Sequence, residues 1–524
     1  IKNDSIMIHN LRRDKNELEE QIEVLKKVSS PSEYNSLIGQ ITLKNIEIGK
    51  LNKKIKEIEK NYKQAKNENI AFEKKNKQLE DLIIRLKNNI VHLEKEINKN
   101  KVPKEERKKK NLNNITTRKN KLLRSFSQLN IEKLNKFETS PKKIRENFYH
   151  LLNDKENITV VQIAPAVRVA LGEEFGYKFG TNLTGKIYAA LRRLGFAKVF
   201  DTNFGADLTI IEEATEFVNR FKKNDNLPMF TSCCPAWVDY LEKRYPDNIP
   251  NLSSCKSPHQ MVGAIAKTYW AEKAKVDPAK VKVVSVMPCT AKKWEIGRDE
   301  TMNSSGYKDV DEVITTRELA KMIKSAGIDF KNLKDEEADN PLGEYSGAAT
   351  IFGVTGGVMT AALRTAYFYI TGKELGQLNF KAIEGLKAVK VAEVDIQGIK
   401  VRIAVVNGIG NVAPVMDEIN QAKAEGKELP YHFVEVMACP GGCIAGGGQP
   451  RVMGAIFDKP WGINDAIRKL RSKGLNTEDS KAENRLSHKN KSIQKLYKDY
   501  LGDAGGKKSH HLLHTKYQKR PLYK

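Results

Sequence analysis

The sequence predicts an α/β protein with two lobes of mostly parallel sheet flanked by helices, preceded by a long α-helical coiled coil. Three apolar, strand-like runs end at cysteines, at residues 231–234, 281–289 and 431–439. The first 150 residues differ in composition, with no Cys or Trp, two Gly, and 36 Lys and Arg against 21 Asp and Glu. These residues therefore hold +15 of the net charge of +25, which indicates a rod attached to a globular body.

The coiled coil is predicted for residues 1–100. From Ile48 onward, apolar residues recur at alternating steps of three and four over about seven heptads, the period of a left-handed coiled coil. Ile at the first position with Leu at the second favours a parallel dimer, and Asn69 and Asn76 at first positions would fix its register. We expect a homodimer through this rod, although an intramolecular antiparallel hairpin is the competing interpretation.

Residues 101–156 are predicted to form a basic linker or helical segment, which contains the run KEERKKK at 104–110. Such a run is typical of a solvated linker or of a surface that binds an acidic protein, and it can also bind nucleic acid, which we consider unlikely here. No stretch of about 20 apolar residues indicates a membrane span. The cysteine pattern argues for a reducing interior, cytoplasmic or in a hydrogenosome-like organelle, and against secretion. Because the chain begins at Ile1, the absence of a targeting segment decides nothing.

Four cysteines have the character of metal ligands. Parallel strands whose carboxyl ends each bring a thiolate to one crevice can build a buried metal cluster, and four thiolates suit a 4Fe-4S cluster. Zinc is the alternative, but its structural sites pair cysteines at short intervals. Here the intervals are 55, 150 and 4 residues, from Cys234 to Cys289, Cys439 and Cys443. Spacing alone favours iron-sulfur only weakly.

The residues around the cysteines resemble the three signature segments of the FeFe hydrogenases, in order and spacing. These segments are TSCCPAW at 231–237, MPCTAKKWE at 287–295 and EVMACPGGCIAGGGQP at 435–450. Stretches 204–217, 251–258 and 343–359 are similar to the same family, and the resemblance runs from about residue 158 to 523. It implies a catalytic H-cluster domain of two lobes at 157–455 and a C-terminal helical segment at 456–524 that resembles the family's small subunit.

The resemblance also implies a role for individual residues. The H-cluster would consist of a 4Fe-4S cluster and a di-iron subsite with carbonyl, cyanide and bridging dithiolate ligands, with Cys443 shared between the two. The implied metal ligands are Cys234, Cys289, Cys439 and Cys443. The implied catalytic residues are Cys233 for proton transfer, Glu213, Glu216, Ser253 and Arg220 as its relay, and Lys292 beside a cyanide. The implied walls around the di-iron group are Ala164, Pro165, Met287 and Met437, with a polar contact from Ser257.

The implied function is the reversible reduction of protons to dihydrogen, with electrons from reduced ferredoxin or a similar acidic carrier. Dedicated maturation proteins would supply the di-iron unit. The alternative is a hydrogenase-like sensory or iron-sulfur cluster-assembly protein without bulk hydrogen turnover. Four residues depart from the family pattern: Ala236 stands where relatives commonly have Gly, Thr360 where Glu is often found, Cys255 where relatives often have Ala, and His259 where Gln is frequent. The C-terminal histidines, His510, His511 and His514, could bind a metal, but we expect them to pack against the body.

Overall fold

The computed structural model describes residues 156–451 and 465–522. The predicted coiled coil and nearly all of the basic segment lie outside these residues, so both stay predictions. All six cysteines lie within the described residues and are free thiols. Among the described residues, none of the helices combines the length and the apolar character that crossing a membrane requires.

The first lobe is built on a parallel sheet. Its strands are β1 (Ile158–Ile163), β2 (Lys198–Asp201), β4 (Val281–Met287) and β5 (Glu312–Thr315), in the order β2-β1-β4-β5. Every pair is parallel, with Ile163 opposite Val286 in β4 and Met287 opposite Thr315 in β5. Helices cover such a sheet on both faces, so its strands are apolar almost throughout. Accordingly β1 and β4 are almost completely buried.

The second lobe contains a mixed sheet with the order β3-β8-β7-β6. Its strands are β3 (Met229–Phe230), β6 (Val389–Ile396), β7 (Ile399–Asn407) and β8 (Phe433–Met437). The pairs β3-β8 and β7-β8 are parallel, whereas β6 and β7 form an antiparallel hairpin at the edge. The two sheets confirm the predicted α/β class with mostly parallel strands.

Helices flank both sheets. In chain order they are α1 (Thr184–Arg193), α2 (Thr202–Lys223), α3 (Pro235–Arg244), α4 (Pro258–Ile265), α5 (Ala271–Ala274), α6 (Lys292–Glu295), α7 (Thr316–Ser325), α8 (Gly347–Thr350), α9 (Gly357–Thr371), α10 (Val412–Ala424), α11 (Asp465–Lys481), α12 (Lys491–Leu496) and α13 (Lys507–Leu513). A π-helical turn, Ala266–Trp270, joins α4 to α5.

Helix α2 is the buried centre of the body. Asp201 caps its first turn by accepting a hydrogen bond from the Asn203 N–H, and Asn224 ends it with a φ of +49°. A Cβ on Gly205 would lie 2.2 Å from the carbonyl oxygen of Pro258, so glycine is needed for α4 to approach α2 this closely. This approach fixes the carboxylates of α2 relative to the loop that precedes α4.

The C-terminal segment is fixed to the body by buried ion pairs. Arg471 of α11 pairs with Glu173 at 2.5 Å and donates to the carbonyl oxygen of Ile444 at 2.6 Å. Arg364 of α9 pairs with Asp479 of α11 at 3.0 Å. Helix α11 therefore holds the loop that contains Cys443, because Ile444 is the next residue in the chain.

Candidate active site

Three strands deliver the cysteines. Cys233 and Cys234 follow β3, Cys289 follows β4, and Cys439 follows β8, with Cys443 in the next turn. Strands β3 and β8 belong to one sheet and β4 belongs to the other, so the cysteines meet where the carboxyl ends of strands from both sheets face one cavity. This is the expected place for a ligand site in an α/β fold.

The cavity has about 750 Å³ of space between its lining atoms. It brings together most of the residues singled out from the sequence. All but Lys292 are apolar or carry sulfur: Ala164, Pro165, Cys233, Cys234, Met287, Cys289, Lys292, Met437, Cys439 and Cys443. Ser257 is not among them. It is buried at the start of α4, lines a smaller neighbouring cavity beside Cys255, and its hydroxyl has no partner among the described residues.

The cysteine sulfurs lie close enough to shift one another's pKa, as expected for the ligands of one shared metal cluster. Burial and then the nearby sulfurs of Cys234, Cys289 and Cys439 raise the pKa of the Cys443 thiol. Burial and then Cys234 and Cys289 raise the pKa of Cys439 to about 12. Burial and mutual repulsion therefore oppose the ionisation of these thiols. Metal coordination deprotonates a thiol outright, and the positive charge of the metal offsets that repulsion.

The spacing of the sulfurs separates a cluster from a single zinc ion. Four sulfurs at about 2.3 Å from one zinc would lie about 3.8 Å apart. Among the described residues, the cysteines do not form a group of three whose sulfurs lie within 4.8 Å of one another. Sulfurs that face one cavity at a wider spacing suit a multinuclear cluster, so the donor set fits a 4Fe-4S centre.

Backbone N–H groups point at the sulfurs. Gly447 hydrogen-bonds the sulfur of Cys439, and Ala291 and Lys292 hydrogen-bond that of Cys289. A Cβ on Gly446 would lie 2.2 Å from the carbonyl oxygen of Pro288, so glycine lets the Cys443 loop pack directly on the Cys289 loop. Such N–H groups tune the potential of a bound cluster.

Lys292 lies at the end of a buried charge network. Its Nζ donates to the carbonyl oxygen of Cys233 at 3.0 Å and to Glu295 Oε2 at 2.7 Å. Glu295 Oε2 also contacts His259 Nε2 at 2.7 Å. Burial lowers the pKa of Lys292, but Glu295 and the cysteines outweigh it, so the net shift is upward. Lys292 is therefore a fixed cation at the cavity wall.

Sequence reasoning missed the part played by Glu295 and His259. Burial and then the charge of Lys292 lower the pKa of His259. Burial alone would raise the pKa of Glu295, but Lys292 and His259 outweigh it, so the net shift is downward. His259 lines the cavity, and its Nδ1 has no partner among the described residues. The signal that could have found Glu295 is its position three residues after Lys292 in KKWE, although such a pair is usually a surface ion pair.

Cys233 faces the cavity beside the four other cysteines. Burial and then Glu213 raise the pKa of its thiol well above the ordinary value. Glu213 is itself buried, and burial raises its pKa to about 8. One of its carboxyl oxygens has no partner among the described residues, an arrangement that a bridging water would complete. The raised pKa values favour the protonated form of both groups, Cys233 at the cavity wall and Glu213 on α2.

A continuous hydrogen-bonded chain leads away from Glu213. The Ser253 hydroxyl hydrogen-bonds the Glu213 carboxyl and donates to Glu216 Oε2 at 3.0 Å. Glu216 Oε1 in turn accepts from Arg220 at 2.6 Å. Glu213 and Ser253 are buried, whereas the side chains of Glu216 and Arg220 are 14% and 15% exposed. The chain thus runs from the buried Glu213 towards the surface, and it brings together all four residues that the sequence suggested for a relay.

A second group of residues joins this chain from the C-terminal segment. The Ser254 hydroxyl lies 3.1 Å from Glu216 Oε1 and 2.7 Å from His514 Nδ1. His514 Nε2 lies 3.0 Å from Glu212 Oε2, and Glu212 also accepts from the Tyr497 hydroxyl. No sequence pattern predicts these contacts, because Ser254 and His514 are 260 residues apart.

Four cysteine thiols that face one cavity at the strand ends of an α/β fold are the donor set of an iron-sulfur protein. The family model described as "iron only hydrogenase large subunit, C-terminal domain" matches residues 157–447, and the model "iron hydrogenase small subunit" matches residues 465–520. The chain therefore belongs to the iron-only, or FeFe, hydrogenase family.

Curated relatives agree with this family. The chain is 48% identical over 382 residues to iron hydrogenase 1 of Clostridium pasteurianum, covering 72% of this chain and 64% of that one. It is 52% identical over 307 residues to the periplasmic Fe hydrogenase large subunit of Nitratidesulfovibrio vulgaris, covering 58% and 72%. A more distant relative is a cytosolic Fe-S cluster assembly factor of Xenopus tropicalis, at 29% identity over 71% of this chain and 78% of that one. The chain thus spans slightly less than two thirds of the Clostridium protein.

Solved structures show the same fold. A variant of the apo FeFe hydrogenase of Chlamydomonas reinhardtii is 40% identical to this chain, with a TM-score of 0.61 over 72% of this chain and 99% of that one. A second solved structure, which concerns the inactivation of an FeFe hydrogenase by oxygen, is 40% identical to this chain, with a TM-score of 0.62 and the same coverage.

Proposed function

We propose that this chain catalyses the reversible reduction of protons to dihydrogen at an H-cluster. The observation that carries the proposal is the position of Cys233. Its thiol lines the cavity of the four other cysteines and lies close enough to the buried Glu213 for that carboxylate to raise its pKa, after burial. A hydrogen-bonded chain leads from Glu213 through Ser253 and Glu216 towards the surface. A cluster that only transfers electrons needs no such route for protons.

The H-cluster would be held by the four cysteines that share the cavity, with Cys443 between its 4Fe-4S and di-iron parts. When bound, it supplies the redox chemistry and the iron at which hydrogen is formed or split. The carbonyl, cyanide and dithiolate ligands of its di-iron part would face the apolar walls: Ala164, Pro165, Met287 and Met437. These walls exclude water, which strengthens electrostatic interactions inside.

Lys292 would hold a cyanide ligand of the di-iron subsite. Its ammonium lies at the cavity wall and is fixed by Glu295 and by the carbonyl oxygen of Cys233. A charged donor makes a stronger hydrogen bond than a neutral one, so a small anion in this enclosed space is well matched. The unpartnered His259 Nδ1 offers a further polar contact at the same wall.

Proton transfer would follow the observed hydrogen bonds. Cys233 exchanges a proton with the cavity and, through a water, with Glu213. The protonated Glu213 donates to Ser253, whose hydroxyl donates to the Glu216 carboxylate, and Arg220 holds that carboxylate at the surface. A group that both gains and loses a proton must have both states accessible, and the Glu213 pKa of about 8 meets this condition near neutral pH.

Electrons would enter at the Cys439 side of the cluster. Pro440, the next residue, and Gly447, which hydrogen-bonds the Cys439 sulfur, are exposed, and the charge of Arg468 offsets part of the rise in the pKa of the Cys439 thiol. Arg317, which donates to the carbonyl oxygen of Gln449, and Arg451 beside it add positive charge to the same loop. An acidic carrier such as reduced ferredoxin would be attracted to this region, and the attraction should fade with salt.

One experiment tests the function. The chain is matured anaerobically with hydrogenase maturation proteins, infrared bands of iron-bound carbonyl and cyanide are recorded, and hydrogen evolution from a reduced dye is assayed. We expect the bands in the wild type and in Cys233→Ala, with activity in the wild type alone. Cys255→Ala is the matched control, a thiol outside the cavity whose loss should leave activity unchanged.

Two outcomes would contradict the proposal. Bands with equally low activity in the wild type and Cys233→Ala would indicate a sensory protein. Complete absence of the bands after maturation would indicate an iron-sulfur cluster-assembly protein, the role named for the relatives of about 29% identity.

A further inference from the structure

Cys255 lies outside the catalytic cavity, in a cluster of three potential metal ligands. Glu216, Cys255 and His514 place one ligand atom each within 4.8 Å of one another. The Cys255 thiol donates to Glu216 Oε2 at 3.8 Å. Cys255 and His514 are buried, and Glu216 is partly exposed.

From this geometry we infer an inhibitory binding site for a soft divalent cation such as zinc, formed by Glu216, Cys255 and His514. A thiolate, an imidazole and a carboxylate are all established zinc ligands, and together they leave a fourth position for water. The site rests on the proposed function, because Glu216 is also a member of the proton relay. Its occupation would stop proton transfer and leave the catalytic cavity untouched.

The backbone holds the ligands in place before any metal arrives. Cys255 and His514 face each other in an antiparallel bridge. The Lys256 N–H donates to Leu513 O at 2.8 Å, and the Thr515 N–H donates to Ser254 O at 2.7 Å. A preformed site loses less entropy on binding than a flexible one. The C-terminal segment therefore delivers His514 to the relay at a fixed distance.

The imidazole already has the support that metal-bound histidines usually have. His514 Nε2 lies 3.0 Å from the buried Glu212 carboxylate, and such a carboxylate orients the ring and strengthens it as a ligand. Nδ1 then faces the Ser254 hydroxyl at 2.7 Å. A metal would take the place of this hydrogen bond on Nδ1, with Ser254 or a water beside it.

An entry path also exists. His510 is exposed and stacks on His514, with ring centroids 4.5 Å apart and planes at 11°. The Glu216 side chain is 14% exposed. A cation could thus pass from solvent along His510 to Glu216. On binding, the metal forms a bond to the Cys255 sulfur, and the thiol proton leaves to water.

Binding would inhibit because it uses the same carboxylate that accepts the relay proton. Glu216 Oε2 accepts from Ser253 at 3.0 Å. A divalent cation on this carboxylate cancels its negative charge and occupies a lone pair, so a proton from Ser253 has no acceptor. Arg220, which lies 2.6 Å from Glu216 Oε1, opposes the metal by charge, whereas Glu212 and Glu216 favour it.

The test uses the matured holoenzyme. Hydrogen evolution from a reduced dye is measured against free zinc, and the zinc X-ray absorption fine structure is recorded on the same samples. We expect zinc to inhibit the wild type reversibly and to show one sulfur ligand at about 2.3 Å. Because iron occupies the four cluster cysteines, that sulfur can come only from Cys255 or Cys233 among the six cysteines, and the Cys255→Ala variant distinguishes the two.

Variants separate this site from others. Without zinc, Cys255→Ala should retain wild-type activity, but zinc should bind it without a sulfur ligand and should lose more affinity than the roughly 10- to 100-fold that removal of an outer-shell partner costs. Cys255→Ser should behave in the same way. His511→Ala is the matched control, an exposed histidine of α13 outside the cluster, and it should keep wild-type zinc sensitivity.

Three results would overturn the inference. They are equal inhibition of the wild type and Cys255→Ala, zinc bound without sulfur in the wild type, and a loss of sensitivity in His511→Ala as large as in Cys255→Ala. Failure of the proposed function would look different, since it would appear as absent hydrogen evolution before any zinc is added. The sulfur signal does not depend on activity.

Discussion

Glu295 accepts a hydrogen bond from Lys292 at 2.7 Å in the buried wall of the cysteine-lined cavity. The same carboxylate oxygen contacts His259, so one buried anion serves two basic groups. Removing one partner of a buried ion pair leaves a charge without compensation in a medium of low polarity. The geometry of this wall thus depends on Glu295, which does not itself line the cavity.

Replacing Glu295 should therefore destabilise the protein. We expect Glu295→Gln to cost about 3–5 kcal/mol of stability, because Lys292 stays charged and buried. Anaerobic thermal unfolding of the holoenzyme should show a clear decrease in melting temperature. The control is Lys293→Gln, which breaks the more exposed pair with Glu318 and should cost about 1 kcal/mol or less. Equal effects of the two substitutions would show that Glu295 does not compensate a buried charge.

Glu213 should make stability depend on pH in an unusual direction. Burial raises its pKa from 4.5 to about 8 in the folded chain, so the folded state holds this proton more tightly than the unfolded state. Its contribution to stability is therefore complete below pH 4.5 and is lost as pH rises towards 8. Glu213→Gln, which cannot titrate, should lack this loss. Melting temperatures across this range should fall more steeply with pH for the wild type than for Glu213→Gln, and parallel curves would contradict the assignment.

The two serines beside Glu216 should differ in their effect on turnover. The Ser253 hydroxyl links Glu213 to Glu216, whereas that of Ser254 links Glu216 to His514. Ser253→Ala should lower hydrogen evolution by about 100- to 10,000-fold, the usual contribution of a positioned proton donor. Infrared bands of the bound cluster should be unchanged. Ser254→Ala is the matched control and should retain most of the activity, and a similar loss in both variants would mean that the route does not pass through Ser253.

Arg468 should raise the reduction potential of the 4Fe-4S centre. It lies near Cys439, and a Cβ on Gly441 would contact its Cδ at 3.0 Å. A fixed positive charge stabilises the more negative, reduced state of a cluster. Redox titration followed by electron paramagnetic resonance should show a more negative potential in Arg468→Gln and a near-normal one in Arg468→Lys. An unchanged potential in Arg468→Gln would place this charge too far from the cluster to matter.

The sequence predicted those parts of the site that depend on local pattern. Apolar runs that end in Cys289 and Cys439 indicated buried parallel strands, and both strands end where expected. The three-residue spacing of Glu213 and Glu216 correctly placed both on one helix.

Contacts between distant segments could not be predicted in this way. The carboxylate of Glu295 looks like a surface partner of Lys292 until the fold buries both. His514 reaches Ser254 only because the C-terminal segment packs on the body and pairs with Cys255 in an isolated antiparallel bridge. Ser257 was expected at the cavity wall, but the direction of the chain at the start of α4 leaves it beside Cys255.

The central claim is that four cysteines from separate segments hold one 4Fe-4S cluster. Its most direct test is the iron content and Mössbauer spectrum of the chain produced anaerobically without maturation proteins. We predict about four iron atoms per chain in a single 4Fe-4S centre, lost in Cys289→Ser and kept in Cys233→Ser and Cys255→Ser. Iron that survives in Cys289→Ser, or that disappears equally in Cys255→Ser, would contradict the claim.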